Sequence, residues 1–334
     1  MTLRLGILST ARINDEIIGA AQESDRVEVL AVASRDARRA EAYARERGIE
    51  RSFGSYEELL ADPDVDAVYI SLPNGMHIPW TMHSLRAGKH VLCEKPLSRR
   101  ADDVVRAFDL ADSAGLVLSE GFMWRHHPQT RKLGELLQQG TIGRLRVVRA
   151  SFSFELASRH GADDTRFDPQ LDGGALMDVG CYCISFLRFA AGEPERVQAE
   201  QVLGESGVDV VFVATLRLPG GTLAHFDCGF VLPSRDEAEI VGEEGSLFLD
   251  DPWHGRVPVI ELRRDGEVDR IEAERGNSYR LELENLAAAI RGEAPLLLGR
   301  DDAVGQARTI EALYRSASKG TAVEMQPAAE RSRA

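Results

Sequence analysis

Short apolar runs alternate with helix-periodic stretches through the first third of this 334-residue chain, and that alternation constrains its fold more than any single motif. The runs are Leu3–Leu8, Val27–Ala33, Ala67–Ile70, His90–Cys93 and Val117–Leu118. They are nearly continuous in apolar character, as expected of strands buried on both faces of a parallel sheet. Helical patterns lie between them at about Ile13–Ala21, Ala37–Arg47, Tyr56–Leu60, Ile78–Ala87 and Ala101–Ala114. Ser55-Tyr56-Glu57-Glu58 has capping-box spacing, and Gly48, Gly88 and Gly115 stand as helix stops. The pattern predicts an α/β, doubly wound parallel sheet with right-handed crossovers.

After residue 121 the grammar changes. A helical stretch (Gln129–Gln138) leads to a long strand (Leu145–Phe154), a polar, glycine-rich loop (Ser158–Gly174) and a helix from Leu176 to Ala191. From Arg196 to Ile271 the chain is mostly strand-like, with turns at Pro219-Gly220-Gly221, Glu243-Glu244-Gly245 and Asp265-Gly266. Two helical patterns, Tyr279–Arg291 and Asp301–Ser318, close it. The reading is a nucleotide-binding domain over 1–121 and an α+β domain over 122–326 with an open-faced, largely antiparallel sheet. The polar tail 327–334 is expected to fray.

Charge narrows the partners. With 40 Lys and Arg against 54 Asp and Glu, the net charge is −14, which argues against nucleic-acid backbones and anionic membranes. The first eight residues read as a strand rather than a signal segment, and no uninterrupted apolar run approaches the ~18 residues of a membrane span. Cys93, Cys181, Cys183 and Cys228 lack Cys-x-x-Cys spacing and are too sparse for a disulfide framework. Buried thiols and a cytoplasmic location are expected.

Glu94-Lys95-Pro96 ends the fourth apolar run, so Lys95 falls on the carboxyl edge of the predicted sheet, where ligands of open α/β folds sit. The first turn, Ser9-Thr10-Ala11-Arg12-Ile13-Asn14, has none of the glycines of the usual dinucleotide fingerprint. Ser9 and Ala11 are small enough to let a pyrophosphate approach the helix amino terminus, Ser9 and Thr10 add hydroxyls, and Arg12 adds charge. An ordinary capped turn remains the alternative. After the second run stand Ser34 and Arg35, with Arg38 and Arg39 one turn on, where NAD-binding chains carry an acidic residue. Serine and arginine suit a 2′-phosphate, so NADP is favoured over NAD. Against this, Asp36 would repel the phosphate, or Ser34 and Asp36 simply cap a helix beside solvated arginines.

Ser71-Leu72-Pro73-Asn74-Gly75-Met76-His77, Glu94-Lys95-Pro96 and Gly173-Gly174-Ala175-Leu176-Met177-Asp178-Val179-Gly180-Cys181-Tyr182 occur in an order that resembles the Gfo/Idh/MocA oxidoreductases over essentially the whole chain. Ser34-Arg35-Asp36, Phe53-Gly54-Ser55-Tyr56-Glu57-Glu58-Leu59 and Glu120-Gly121-Phe122-Met123-Trp124-Arg125 are similar to the NADP-dependent dihydrodiol and D-xylose dehydrogenase branch. The resemblance implies an N-terminal Rossmann domain and cofactor contacts from Ser9, Thr10, Ala11, Arg12, Ile13, Ser34, Arg35, Arg39, Leu72, Pro73, Asn74, His77, Glu94 and Lys95.

The resemblance also implies that Lys95 lies near the nicotinamide. Asp178 and Tyr182, four apart on a helix, share one face. Tyr182 stands where many relatives have histidine, and is assigned as general acid/base, with Lys95 as electrostatic partner and Asp178 as acceptor of a substrate hydroxyl. A core aromatic is the plain alternative for Tyr182. His77 reads equally as a structural histidine, and Trp124, Arg125 and Arg166 either line the substrate site or pack. His126-His127-Pro128 reads as loop, and no catalytic metal is expected.

The implied activity is hydride transfer between NADP and a hydroxyl-bearing carbon of a sugar, polyol or cyclic diol. A sugar–sugar oxidoreductase that retains its NADP, and a non-catalytic NADP-binding sensor, are the alternatives. A homodimer or homotetramer through the C-terminal sheet is also implied.

Overall fold

The computed structural model describes residues 2–325, so the tail 327–334 expected to fray lies outside the described residues. The chain divides into two compact units. The first takes the residues through Ser98, then 102–127 and 276–304; the second takes 99–101, 128–275 and the described residues from Gly305 onward. The single cut expected at residue 121 is therefore replaced by a discontinuous division.

The first unit is built on β1 (Leu3–Leu8), β2 (Val27–Ala33), β3 (Arg51–Phe53), β4 (Ala67–Ile70), β5 (His90–Glu94) and β6 (Leu118–Gly121). All pair in parallel, in the order β3-β2-β1-β4-β5-β6. Helices α1 (Asn14–Gln22), α2 (Ala37–Arg47), α3 (Tyr56–Ala61), α4 (His77–Arg86) and α5 (Ala101–Ala114) connect them. Leu5, Ile7, Val32, Val68 and Leu92 are wholly buried, as the apolar runs require. The Ser55 hydroxyl caps α3 by accepting from the Glu58 N–H, and Glu58 reaches back to the Gly54 N–H. β3 lacked an apolar run and went unread, because Arg51-Ser52-Phe53 is only an edge strand.

The second unit opens with α6 (Pro128–Gln138) and β7 (Leu145–Glu155). The stretch expected as loop contains α7 (Leu156–His160) and single turns at Thr165–Phe167 and Pro169–Leu171. Glu155, Asp164 and Asp168 cap these three with their own carboxylates, a local choice that hydrophobic periodicity cannot show. The helix expected from Leu176 begins as a wide π turn, Leu176–Gly180, and becomes α8 (Cys181–Ala191). The sheet is completed by β8 (Arg196–Leu203), β9 (Asp209–Arg217), β10 (Leu223–Gly229), β11 (Val231–Gly242), β12 (Ser246–Leu249), β13 (Val259–Arg264) and β14 (Glu267–Glu272).

Helix α9 (Ser278–Ile290) then returns to the first unit, where Leu283, Leu286 and Ala287 join the core of Ile17, Ile18 and Ala21. Helix α10 (Arg300–Lys319) and β15 (Val323–Glu324) end the described chain. The nine-stranded order is β14-β13-β12-β11-β7-β10-β9-β8-β15. Within this sheet, among the described residues, only the β7–β10 pair is parallel. One face carries buried Val148, Ala150, Phe212, Ala214 and Phe226; the other exposes Val202, Val213 and Leu223. The stretch 169–191 is apolar and long enough to cross a membrane, but most of it is buried and it is broken into three kinds of turn.

Candidate active site

In the first unit the strand order reverses between β1 and β4, and ligands of open α/β sheets bind outside the carboxyl ends at such a switch point. Ser9 and Ser71 follow those two strands, and their hydroxyls lie 2.7 Å apart. Ser9 has φ +151, a conformation that favours glycine. The turn therefore keeps the backbone of the glycine fingerprint with a serine in it.

Buried hydrogen bonds hold that conformation. The Ser9 hydroxyl accepts from the Ala11 N–H at 3.0 Å, and the Asn14 amide donates to the Ser9 carbonyl at 3.1 Å. The Ser71 hydroxyl donates to the Asn14 side-chain Oδ1 at 2.6 Å, and Asn14 is wholly buried. Asn14 and Ser71 were not read as site residues, although a polar residue in the third glycine position was the visible signal. The Thr10 hydroxyl is buried with no hydrogen-bond partner among the described residues. A turn of this shape with an unused donor at a helix start fits a pyrophosphate. Arg12 is exposed beside it, with Ala11 and Ile13 partly so.

Past β2, Ser34 is buried and Asp36 caps α2 by accepting from the Arg39 N–H at 3.1 Å. Capping occupies Asp36, leaving Arg35 and Arg39 exposed on the edge, where both bias the ionisation of Tyr56. Past β4, Leu72 is buried while Pro73 and Asn74 are partly exposed. His77, expected near the cofactor, is 1% exposed. Its Nδ1 faces the Pro96 carbonyl and its Nε2 the Leu72 carbonyl, both at 2.8 Å. It joins the two loops. Past β5, Glu94 accepts from the Tyr69 hydroxyl at 2.5 Å, and Lys95 is partly exposed on the same sheet edge as Ser9. Trp124 is buried, in keeping with the packing alternative for it; Arg125 lies over its ring and pairs with Asp302 at 3.3 Å.

In the second unit, Asp178 lies in the π turn and Tyr182 in the first turn of α8. Arg166 donates to Asp178 at 3.1 Å and forks onto both oxygens of Asp164. These contacts fix the Asp178 carboxylate through Arg166. Tyr182 is half-buried, with Phe152 edge-on at 5.5 Å and Trp253 at 5.8 Å. Phe152 also borders a cavity of about 850 Å³ lined by Arg159, Arg235, Asp236, Asp251 and His254. His254 Nδ1 lies 3.2 Å from Asp236 and 3.3 Å from Asp251. Burial would lower its pKa, but hydrogen bonds to both carboxylates push it up to about 9. Asp236, Asp251 and His254 could together hold a metal ion, yet Arg256 already lies between both carboxylates and the ring. The cluster is an ion-pair network. All four cysteines are buried, and none forms a disulfide among the described residues.

The first turn, switch point and strand order define a doubly wound domain of the dinucleotide-binding type. Residues 3–122 match the oxidoreductase family with an NAD-binding Rossmann fold, and residues 130–248 match the GFO/IDH/MocA C-terminal domain. The chain is 40% identical to D-xylose 1-dehydrogenase (NADP(+)) 2 of Haloferax volcanii, over 97% of this chain and 100% of the relative. It is 38% identical to trans-1,2-dihydrobenzene-1,2-diol dehydrogenase of Mus musculus, over 79% of each. Among solved structures, a 3-ketoreductase from Actinomadura kijaniata in complex with NADP and TDP-benzene superposes with a TM-score of 0.89 at 30% identity, covering 95% of this chain and 98% of the other. This chain belongs to the Gfo/Idh/MocA family of oxidoreductases.

Proposed function

We propose that this protein is an NADP-dependent dehydrogenase acting on a hydroxyl-bearing carbon of a sugar, polyol or cyclic diol. The observation that carries the reading is the glycine-like turn at Ser9 on the same carboxyl edge as Lys95, the edge where open α/β sheets bind dinucleotides. Ser9, Thr10, Ala11, Arg12 and Ile13 would hold the pyrophosphate, and Ser34, Arg35 and Arg39 the 2′-phosphate. The relatives named as NADP-dependent or solved with NADP support that choice. When bound, NADP supplies the hydride acceptor. In oxidation Tyr182 takes the hydroxyl proton, and in reduction it returns it to the nascent alkoxide. Lys95 stabilises the developing negative charge, and Asp178, held by Arg166, accepts from a substrate hydroxyl. The role requires Tyr182 to ionise below the usual ~10, which cationic groups favour. The exposed Val202, Val213 and Leu223 support pairing of the open sheet face with a second copy.

Positioned acid–base groups contribute roughly 10²–10⁴-fold. Tyr182→Phe and Lys95→Met are each expected to lower kcat/KM within that range. A kcat/KM within about threefold of wild type in both would remove the assignment.

A further inference from the structure

The helix that carries Asp178 and Tyr182 begins on a buried carboxylate that the proposed chemistry does not use. Asp209, the first residue of β9, is 2% exposed. Its Oδ2 accepts from the Leu176 N–H at 2.7 Å, the first residue of the π turn. Its Oδ1 accepts from the Tyr314 hydroxyl at 2.8 Å. A side-chain carbon on Gly174, which has φ +123, would stand 2.2 Å from that same oxygen, so only glycine lets the chain close on Asp209. Just upstream, the Gly173 and Gly174 amides donate to the Asp168 and Arg166 carbonyls, each at 3.0 Å. A side-chain carbon on Gly173 would meet the Arg166 carbonyl at 2.4 Å. The paired glycines thus seat the helix start against Arg166 on one side and Asp209 on the other.

We infer that Asp209 is a positioning residue, whose carboxylate anion sets the π turn Leu176–Gly180 and so the direction in which Asp178 and Tyr182 leave it. The inference rests on Tyr182 being the acid/base. An anion at the first amide of a helix is favoured by the helix dipole and makes a charge-assisted hydrogen bond. Three other titratable or charged groups bear on it. Tyr314 reaches it from α10, Arg99 stacks 4.3 Å over the Tyr314 ring and pairs with Asp172, and the Cys228 thiol approaches from β10. Burial dominates and raises the Asp209 pKa to about 6, against the hydrogen bonds from Leu176 and Tyr314. Protonation on the oxygen that faces Tyr314 reverses that bond, since the phenol can accept, and leaves the Leu176 N–H on a neutral acceptor, so the charge assistance is lost and the turn loosens below that pH.

Hydrogen exchange of the full-length protein reads the turn without a substrate. Asp209→Asn keeps a neutral acceptor for the Leu176 N–H and offers an N–H to the Tyr314 oxygen, as the protonated acid does. At about pH 7.5 the amides from Leu176 to Cys183 are expected to exchange at least about tenfold faster in Asp209→Asn than in wild type. Wild type, corrected for intrinsic exchange, is expected to lose the same protection between about pH 7.5 and about pH 5, with no further loss in the variant. In turnover, kcat falls about tenfold while the NADPH dissociation constant stays within about twofold. Protection within about twofold of wild type at both pH values would overturn the inference. If Asp209→Asn does not fold, Tyr314→Phe serves: loss of one donor to the anion moves the wild-type exchange midpoint upward, and an unmoved midpoint overturns the inference. Full activity in Tyr182→Phe would instead sink the acid/base reading, whatever Asp209 does.

Discussion

At the scale of single residues, the first βα turn shows how a glycine position can be filled. Ser9 holds a backbone that costs about 1–3 kcal/mol for a non-glycine residue. It persists because Asn14 and Ser71 tie it from two directions inside the protein. Restoring the textual fingerprint should therefore harm. Asn14→Gly leaves two buried hydroxyls short of partners and weakens α1, an expected loss of about 2–4 kcal/mol in denaturant unfolding. Unchanged stability would show the network to be idle. His254 offers a second residue-scale prediction. Its pKa rises from the ordinary 6.5 to about 9, so its ion pairs stabilise fully below pH 6.5 and are lost as pH rises through 9. Side-chain exposure of 38% screens the effect to about 1 kcal/mol. His254→Gln should flatten the alkaline fall in the urea midpoint. Composition pointed to the right turn but not to its conformation, since φ at Ser9 depends on Ser71, sixty-two positions away.

At the scale of elements, regular segments were legible wherever burial wrote a clean period. β1, β2, β4, α2 and α5 fall at their expected bounds because each is apolar on the faces it buries. What periodicity missed was decided by local capping or by partners distant in sequence. β3 is too short and polar to announce itself, and the π turn depends on Asp209 and the Gly173-Gly174 pair. His77 stands at the start of α4 as read, but its two carbonyl partners, which tie the loops together, were not visible in the sequence. Glycines give a paired test of packing. Gly173→Ala would set a carbon 2.4 Å from a backbone oxygen and should cost at least about 2 kcal/mol, together with activity. Gly19→Ala, in α1 with nothing within 4 Å, should stabilise by up to about 1 kcal/mol. Equal effects at the two sites would contradict the packing account.

At the scale of the whole chain, the division into units was half legible. The change of grammar near residue 121 was visible, but the return of α9 was not, because an amphipathic helix does not declare which core it will join. Burying Leu283 and Leu286 stabilises the first unit by about 1.5–3 kcal/mol each. A fragment ending at residue 127 should therefore fail to bind NADPH, and joining residues 276–304 to it should restore binding. The central claim is hydride transfer to NADP from a hydroxyl-bearing carbon, and one plate tests it most directly. Aldoses, polyols and cyclic diols are mixed with the enzyme and either NADP⁺ or NAD⁺, and formation of reduced nicotinamide is followed by its absorbance. At least one substrate class should reduce NADP⁺, with a higher kcat/KM than with NAD⁺. No reduction of either cofactor by any member, from a protein that binds NADPH, would contradict the account.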